Sequence, residues 1–231
     1  MSTWPHPHYK HPLVQRAWLP ALACTLPAIS TILLTIRIYL RARKQAGILG
    51  LDDLFITLAW AVSVALSACA VIGSEHYGLN VHTWDVPPDR YVGASLLGFI
   101  SQILFLTSTC ATKASVLLFY RRMTKGTYSK KWLWATWIAL GLTAGYFVAV
   151  LLTYCFICQP LNAYWFSYDF SYDNNFICLD GNILTPFVGV FSVLSDLYAV
   201  LLPCLWLHLY NPTATRQQRF SLNFIFALGT M

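Results

Sequence analysis

The sequence predicts an all-α fold, a polytopic transmembrane helix bundle, on three observations. Of the 231 residues, 57% are hydrophobic and only 10% are charged, where a soluble domain carries about a quarter charged residues. Mean hydropathy is clearly positive, at +0.56. Apolar stretches long enough to cross a bilayer recur along the chain with short polar connections. Together these exclude a disordered chain, a nucleic-acid-binding module and most cytosolic enzymes.

The spans follow in order. Residues 1–16 are polar and rich in His and Pro, with no apolar core of the signal-peptide kind. They are expected to form an extracellular tail, so that the first span itself drives insertion. The transmembrane domain, 17–231, has full spans predicted at 17–39, 54–74, 92–120, 132–157 and 183–209. They are too uniformly apolar for surface helices and too long for buried strands. A last run, 220–231 (FSLNFIFALGTM), is twelve residues long. It would rise only ~18 Å of the ~30 Å hydrocarbon core, so it reads as a partial sixth span in a C-terminally truncated bundle.

Charge sets the orientation. Arg37, Arg41, Arg43 and Lys44 go to loop one, Arg121, Arg122, Lys125, Lys130 and Lys131 to loop three, and Arg216 and Arg219 to loop five. Those loops hold 11 of the 15 basic residues, while Glu75, Asp85, Asp89, Asp169, Asp173 and Asp180 fall on the other side. The positive-inside rule then puts the odd loops in the cytoplasm and the N-terminus outside. Trp18, Trp84, Trp132, Trp165 and Trp206 lie near the expected interfaces. The net charge of +6 is thus a matter of topology, and nucleic acid is not an expected partner.

Local patterns then line up with one family. In chain order they are Leu51-Asp52-Asp53, then Tyr77-Gly78-Leu79-Asn80-Val81-His82 with Trp84-Asp85. Lys113-Ala114-Ser115 leads to Phe119-Tyr120-Arg121, and Cys158-Gln159-Pro160 is followed by Trp165 and Cys178. Ser195-Asp196-Leu197 and Leu202-Pro203 complete the set. From about residue 20 onward the chain resembles the fungal rhodopsin-domain integral membrane proteins, a group that includes host-sensing, receptor-like members. Asn80 stands where the family's Tyr-Gly-x-Gly-x-His pattern has its second glycine. The resemblance implies a seven-helix architecture and a receptor-like role at a membrane, taken to be the plasma membrane. It does not imply a photoreceptor. Retinal is normally carried on a seventh-helix lysine, and the one lysine within a span here is Lys113 in the third. No cofactor and no metal is expected.

Candidate residues come mainly from scarce charges. Lys113 and Asp196 lie within spans, where an isolated charge costs at least ~2.5–3.5 kcal/mol. Lys113 is eight residues before Arg121 and Asp196 twelve before His208, which places them ~12 and ~18 Å from the same boundary. A lysine stem leaning toward its helix N-terminus bridges that difference, so an ion pair is expected, either locking helix packing or acting as a switch. Of seven cysteines, Cys24, Cys69, Cys110 and Cys204 sit in apolar runs, where thiols behave as small hydrophobes. Cys158 and Cys178 on the outer side are the expected disulfide, worth roughly 3 kcal/mol for such a loop, with Cys155 as the competing partner. In the first outer loop, Glu75, His76, Tyr77, His82, Trp84 and Asp85 could recognise a small ligand or sense pH, or could simply form a folded lid. Asp52 and Asp53 suit an N-terminal cap of span two; with Arg121 and Arg122 they are the candidates for coupling to a cytoplasmic partner. His6, His8 and His11 form a short cluster in the tail.

No phosphate loop, His-Glu-x-x-His helix or nucleophile elbow is present, so no enzymatic activity is expected. The favoured function is receptor-like sensing of an extracellular small molecule or surface cue, passed to a cytoplasmic signalling protein. The alternatives are a small-solute transporter and a truncated, non-signalling membrane protein.

Overall fold

The computed structural model describes residues 18–44, 50–82, 85–124, 130–167, 175–179 and 181–210. The fold among these residues is almost wholly helical. The elements are α1 (Trp18–Ala42), α2 (Leu51–His76), α3 (Tyr91–Thr124), α4 (Lys130–Cys155), β1 (Cys158–Gln159), α5 (Ala163–Phe166), β2 (Ile177–Cys178) and α6 (Gly181–Tyr210). A single 3-10 turn, Pro88–Arg90, leads into α3. Four segments are long and apolar enough to cross a membrane: Trp18–Ala42, Leu51–His76, Pro88–Arg122 and Leu133–Cys155. In the fifth long helix, α6, the described apolar stretch is Thr185–Leu201. The tail with its histidine cluster and the partial span at 220–231 lie outside the described residues.

The helices are longer than the apolar runs, and this corrects several placements. Asp52 and Asp53 open α2 rather than preceding it, and Glu75 and His76 close it rather than starting the outer loop. Arg37 and Arg41 belong to α1, and Arg121 and Arg122 to α3, not to loops. The reason is physical: a helix satisfies its own backbone wherever it runs, so it does not stop at the edge of the hydrocarbon.

Side-chain distribution is that of a protein surrounded by lipid. Large apolar residues such as Leu33, Trp134, Leu142 and Phe187 point outward. Many buried positions along the helices are taken by small or polar residues, among them Ala59, Ala111, Ala114, Ala139, Lys113, Ser115 and Thr143. Small residues let helix backbones approach closely where no hydrophobic force drives them together.

The chain forms two compact units. The first takes its described residues from 1–36, 60–105 and 153–179. Here the Thr31 hydroxyl donates to the Pro27 carbonyl at 2.7 Å and accepts from the Trp60 indole at 3.0 Å, which ties α1 to α2. Phe99 on α3 gathers the rings of Tyr154, Tyr164 and Trp165, with centroids 6.4, 5.2 and 6.0 Å away. β1 and β2 pair antiparallel with Cys158 directly opposite Cys178. The second unit takes its residues from 37–59, 106–152 and 180–231. Its core is built on Leu117 and Tyr120 of α3 and Ala139 of α4. Ser108 and Ser115, seven residues apart on α3, donate to the carbonyls of Ala59 and Asp52 on α2 at 3.1 and 2.8 Å, fixing the antiparallel register.

Candidate functional site

The functional candidates divide between the units. In the second, two groups of buried charge stand out. Lys113 Nζ on α3 lies 2.9 Å from Asp196 Oδ1 on α6; the lysine side chain has no exposed surface, the aspartate 38%. The Tyr146 ring of α4 lies under the same ammonium, its centroid 5.8 Å away. Tyr146 in turn donates from its hydroxyl to the Val188 carbonyl of α6 at 3.4 Å. The ammonium is therefore held by an aspartate and an aromatic face from two different helices, which offsets its removal from water.

The second group joins the end of α1, the start of α2 and the end of α3. Arg41 Nη1 contacts Asp52 Oδ2 at 2.7 Å and is also bonded to Asp53 Oδ2. Arg37, one turn earlier, reaches Asp52 Oδ2 and Asp53 Oδ1, each at 3.2 Å. From α3, Arg122 Nη1 stands 3.7 Å from Asp52 Oδ1. Phe119 lies beneath both α1 guanidiniums, 5.4 Å from the Arg37 and 5.8 Å from the Arg41 carbon. Asp53 also accepts from the Gly50 backbone N–H at 3.1 Å, the reciprocal half of a capping box, in which the third residue of a helix reaches back to the residue before it. Capping is thus only part of what this pair does. The two arginines went unnoticed in the sequence because they were assigned to a loop. The signal was there: Arg37 and Arg41 are spaced i, i+4 and so share a helix face, and Arg41 comes ten residues before a second helix that opens on paired acids. Arg121 does not join the cluster. Its guanidinium carbon lies 4.4 Å over the Trp137 ring of α4.

In the first unit the outer-loop candidates meet different surroundings. Glu75 and His76 are exposed at the end of α2, as is His82 beyond the turn. Gly78, at φ 70°, occupies left-handed backbone that glycine adopts without strain. The turn it makes lets Tyr77 and Leu79 donate to the Gly73 carbonyl at 3.2 and 3.0 Å. Tyr77 packs against Gly93, where a Cβ would fall 2.1 Å from its ring. Asp85 is buried, and its backbone N–H donates to the His82 carbonyl at 2.9 Å. Trp84 lies outside the described residues. Cys158 and Cys178 are joined in a disulfide that staples β1 to β2, with Cα atoms 4.1 Å apart, and Cys155 is a free, exposed thiol. Among the described residues, no three His, Cys, Asp or Glu side chains are grouped so as to hold a metal ion.

Long apolar helices with small-residue interfaces and paired internal charges define a multi-pass membrane protein. The fungal rhodopsin domain matches residues 36–231, and the chain belongs to that family. No curated protein and no solved structure matches it.

Proposed function

We propose that the chain is a receptor-like protein of the plasma membrane that senses an extracellular small molecule or surface cue and passes it to a cytoplasmic signalling protein. In this reading five helices span the bilayer, the N-terminus lies outside, and the protein catalyses no reaction. The observation that carries it is the Lys113–Asp196 pair, a fully buried ammonium 2.9 Å from a carboxylate on another helix. Intramembrane ionisable residues are expensive and mark functional pathways more often than packing. Here the two partners sit on α3 and α6, helices that can shift against one another as a cue binds. The cluster of Arg37, Arg41, Asp52, Asp53 and Arg122 joins the ends of three helices next to loop three, a suitable contact face for a partner.

The test places a photo-crosslinker at Lys130, exposed at the start of α4, in living cells, beside solute-flux assays on proteoliposomes. The expected result is an adduct with a cytosolic protein whose yield changes when Asp196→Asn disrupts the pair. Flux that depends on Lys113, with no such adduct, would sink the receptor reading in favour of a transporter.

A further inference from the structure

Within the second unit, α2, α3 and α4 enclose a cavity of about 490 Å³ that neither charge cluster uses. Small residues open it: Ala111 and Ala114 on α3 and Ala144 on α4, with Leu118, Leu140 and Phe147 as walls. On α3 its lining runs from Thr107 to Arg121, fourteen residues and so ~21 Å of helix. An apolar slot of that length accommodates an extended hydrocarbon chain.

Apart from Arg121 and the hydroxyls of Thr107 and Thr143, the lining is apolar. The Thr143 hydroxyl is spent on the Ala139 carbonyl of its own helix, at 2.9 Å. The charged group is Arg121, whose guanidinium is held over Trp137 at 4.4 Å. The ends of α1 and α3 also carry Arg37, Arg41, Arg43, Lys44 and Arg122, more basic residues than Asp52 and Asp53 at the start of α2 can neutralise. An elongated apolar slot that ends at a guanidinium is complementary to one kind of molecule a bilayer supplies. We propose that it binds an anionic membrane phospholipid, phosphate at Arg121 and one acyl chain along α3. Basic pockets between membrane helices are sites of that chemistry. The proposal requires only that the chain lies in a membrane and is independent of the receptor reading; with the N-terminus outside, the lipid comes from the cytoplasmic leaflet.

Cys110 lines the slot and provides the readout. The full chain is purified in mild detergent and incubated with phosphatidylserine or with phosphatidylcholine of the same acyl chains. Lipid retention is followed by native mass spectrometry, and N-ethylmaleimide modification of Cys110 by peptide mapping. Cys69, in the other unit, is the internal reference. The expected result is about tenfold tighter retention of the anionic lipid, equivalent to ~1.4 kcal/mol, with Cys110 alone protected. Arg121→Gln should erase that preference and Arg121→Lys keep most of it, while Ala114→Phe should exclude both lipids. An unchanged thermal unfolding midpoint verifies the fold of each variant, and the comparison of two lipids on the unaltered chain needs no variant at all. Equal retention of both lipids would overturn the proposal, as would a preference that survives Arg121→Gln. So would protection of Cys110 by a free fatty acid at equal concentration. Cys110 that neither lipid protects would overturn it as well.

Discussion

Lys113 shows how one residue can be both the least and the most legible feature of a membrane chain. Its position could be read from sequence because lipid makes any interior charge conspicuous, and counting helix rise from Arg121 gave its depth. Its partner Asp196 could be found the same way. Tyr146 could not, since an aromatic in an apolar run carries no signal until α4 is docked beside α3. The energetic consequence is testable. Removing one partner of a buried pair typically costs about 3–5 kcal/mol, whereas replacing both with apolar residues of similar size is near neutral. The partial exposure of Asp196, 38%, draws its share toward the lower end of that range. Lys113→Met and Asp196→Leu should therefore each lower the thermal stability of the purified protein, and the double variant should be more stable than either. Additive losses in that cycle would show that the two side chains are energetically independent.

At the scale of elements, the sequence located the helices and missed what clasps them. Apolar runs mark where a helix is greasy, while its true ends are set by hydrogen bonding. From sequence, Arg37 and Arg41 read as loop residues, and Asp52 and Asp53 as a cap or as a contact for a cytoplasmic partner, so the ion pairs that join them do not show. The clasp makes the two arginines unequal although they hold the same carboxylates. Arg41 is 4% exposed and Arg37 34%. Arg41→Met removes the one fully buried partner of two buried carboxylates, leaving them to Arg37 and Arg122, and should cost up to roughly 3–5 kcal/mol, while Arg37→Met removes a half-solvated contact and should cost about 0–1 kcal/mol. Raising salt to 1 M shortens the Debye length to ~3 Å. That should narrow the gap between wild type and Arg37→Met and leave the Arg41→Met deficit in place. Thermal unfolding of the three proteins at low and high salt checks both statements; equal losses would mean that Arg41 is no more deeply buried than Arg37. The outer elements were legible in a different degree. A cysteine pair twenty residues apart is visible in sequence, but the two-residue strands it joins carry too few positions for any period to show.

For the molecule as a whole, charge segregates with the two units. The described residues of the first carry Glu75, Asp85 and Asp89 against Arg90. Those of the second carry Arg37, Arg41, Arg43, Lys44, Lys113, Arg121, Arg122, Lys130 and Lys131 against Asp52, Asp53 and Asp196. Lys and Arg resist translocation while acids contribute little, so the basic unit should face the cytoplasm and the turn after α2 the exterior. Orientation can be read with an impermeant maleimide on intact cells. The free thiols are first removed and the Cys158–Cys178 bridge, which is inert to the reagent, is kept. Leu79→Cys, beside the exposed turn, should label on intact cells, and Arg43→Cys, just past α1, only after permeabilisation. The opposite pattern would invert the topology and move the lipid slot to the outer leaflet. It would also remove the clasp of α1, α2 and α3 from reach of any cytoplasmic partner. Labelling of both sites on intact cells would instead show that α2 does not cross the bilayer, and the charge segregation would then have to arise from something other than insertion.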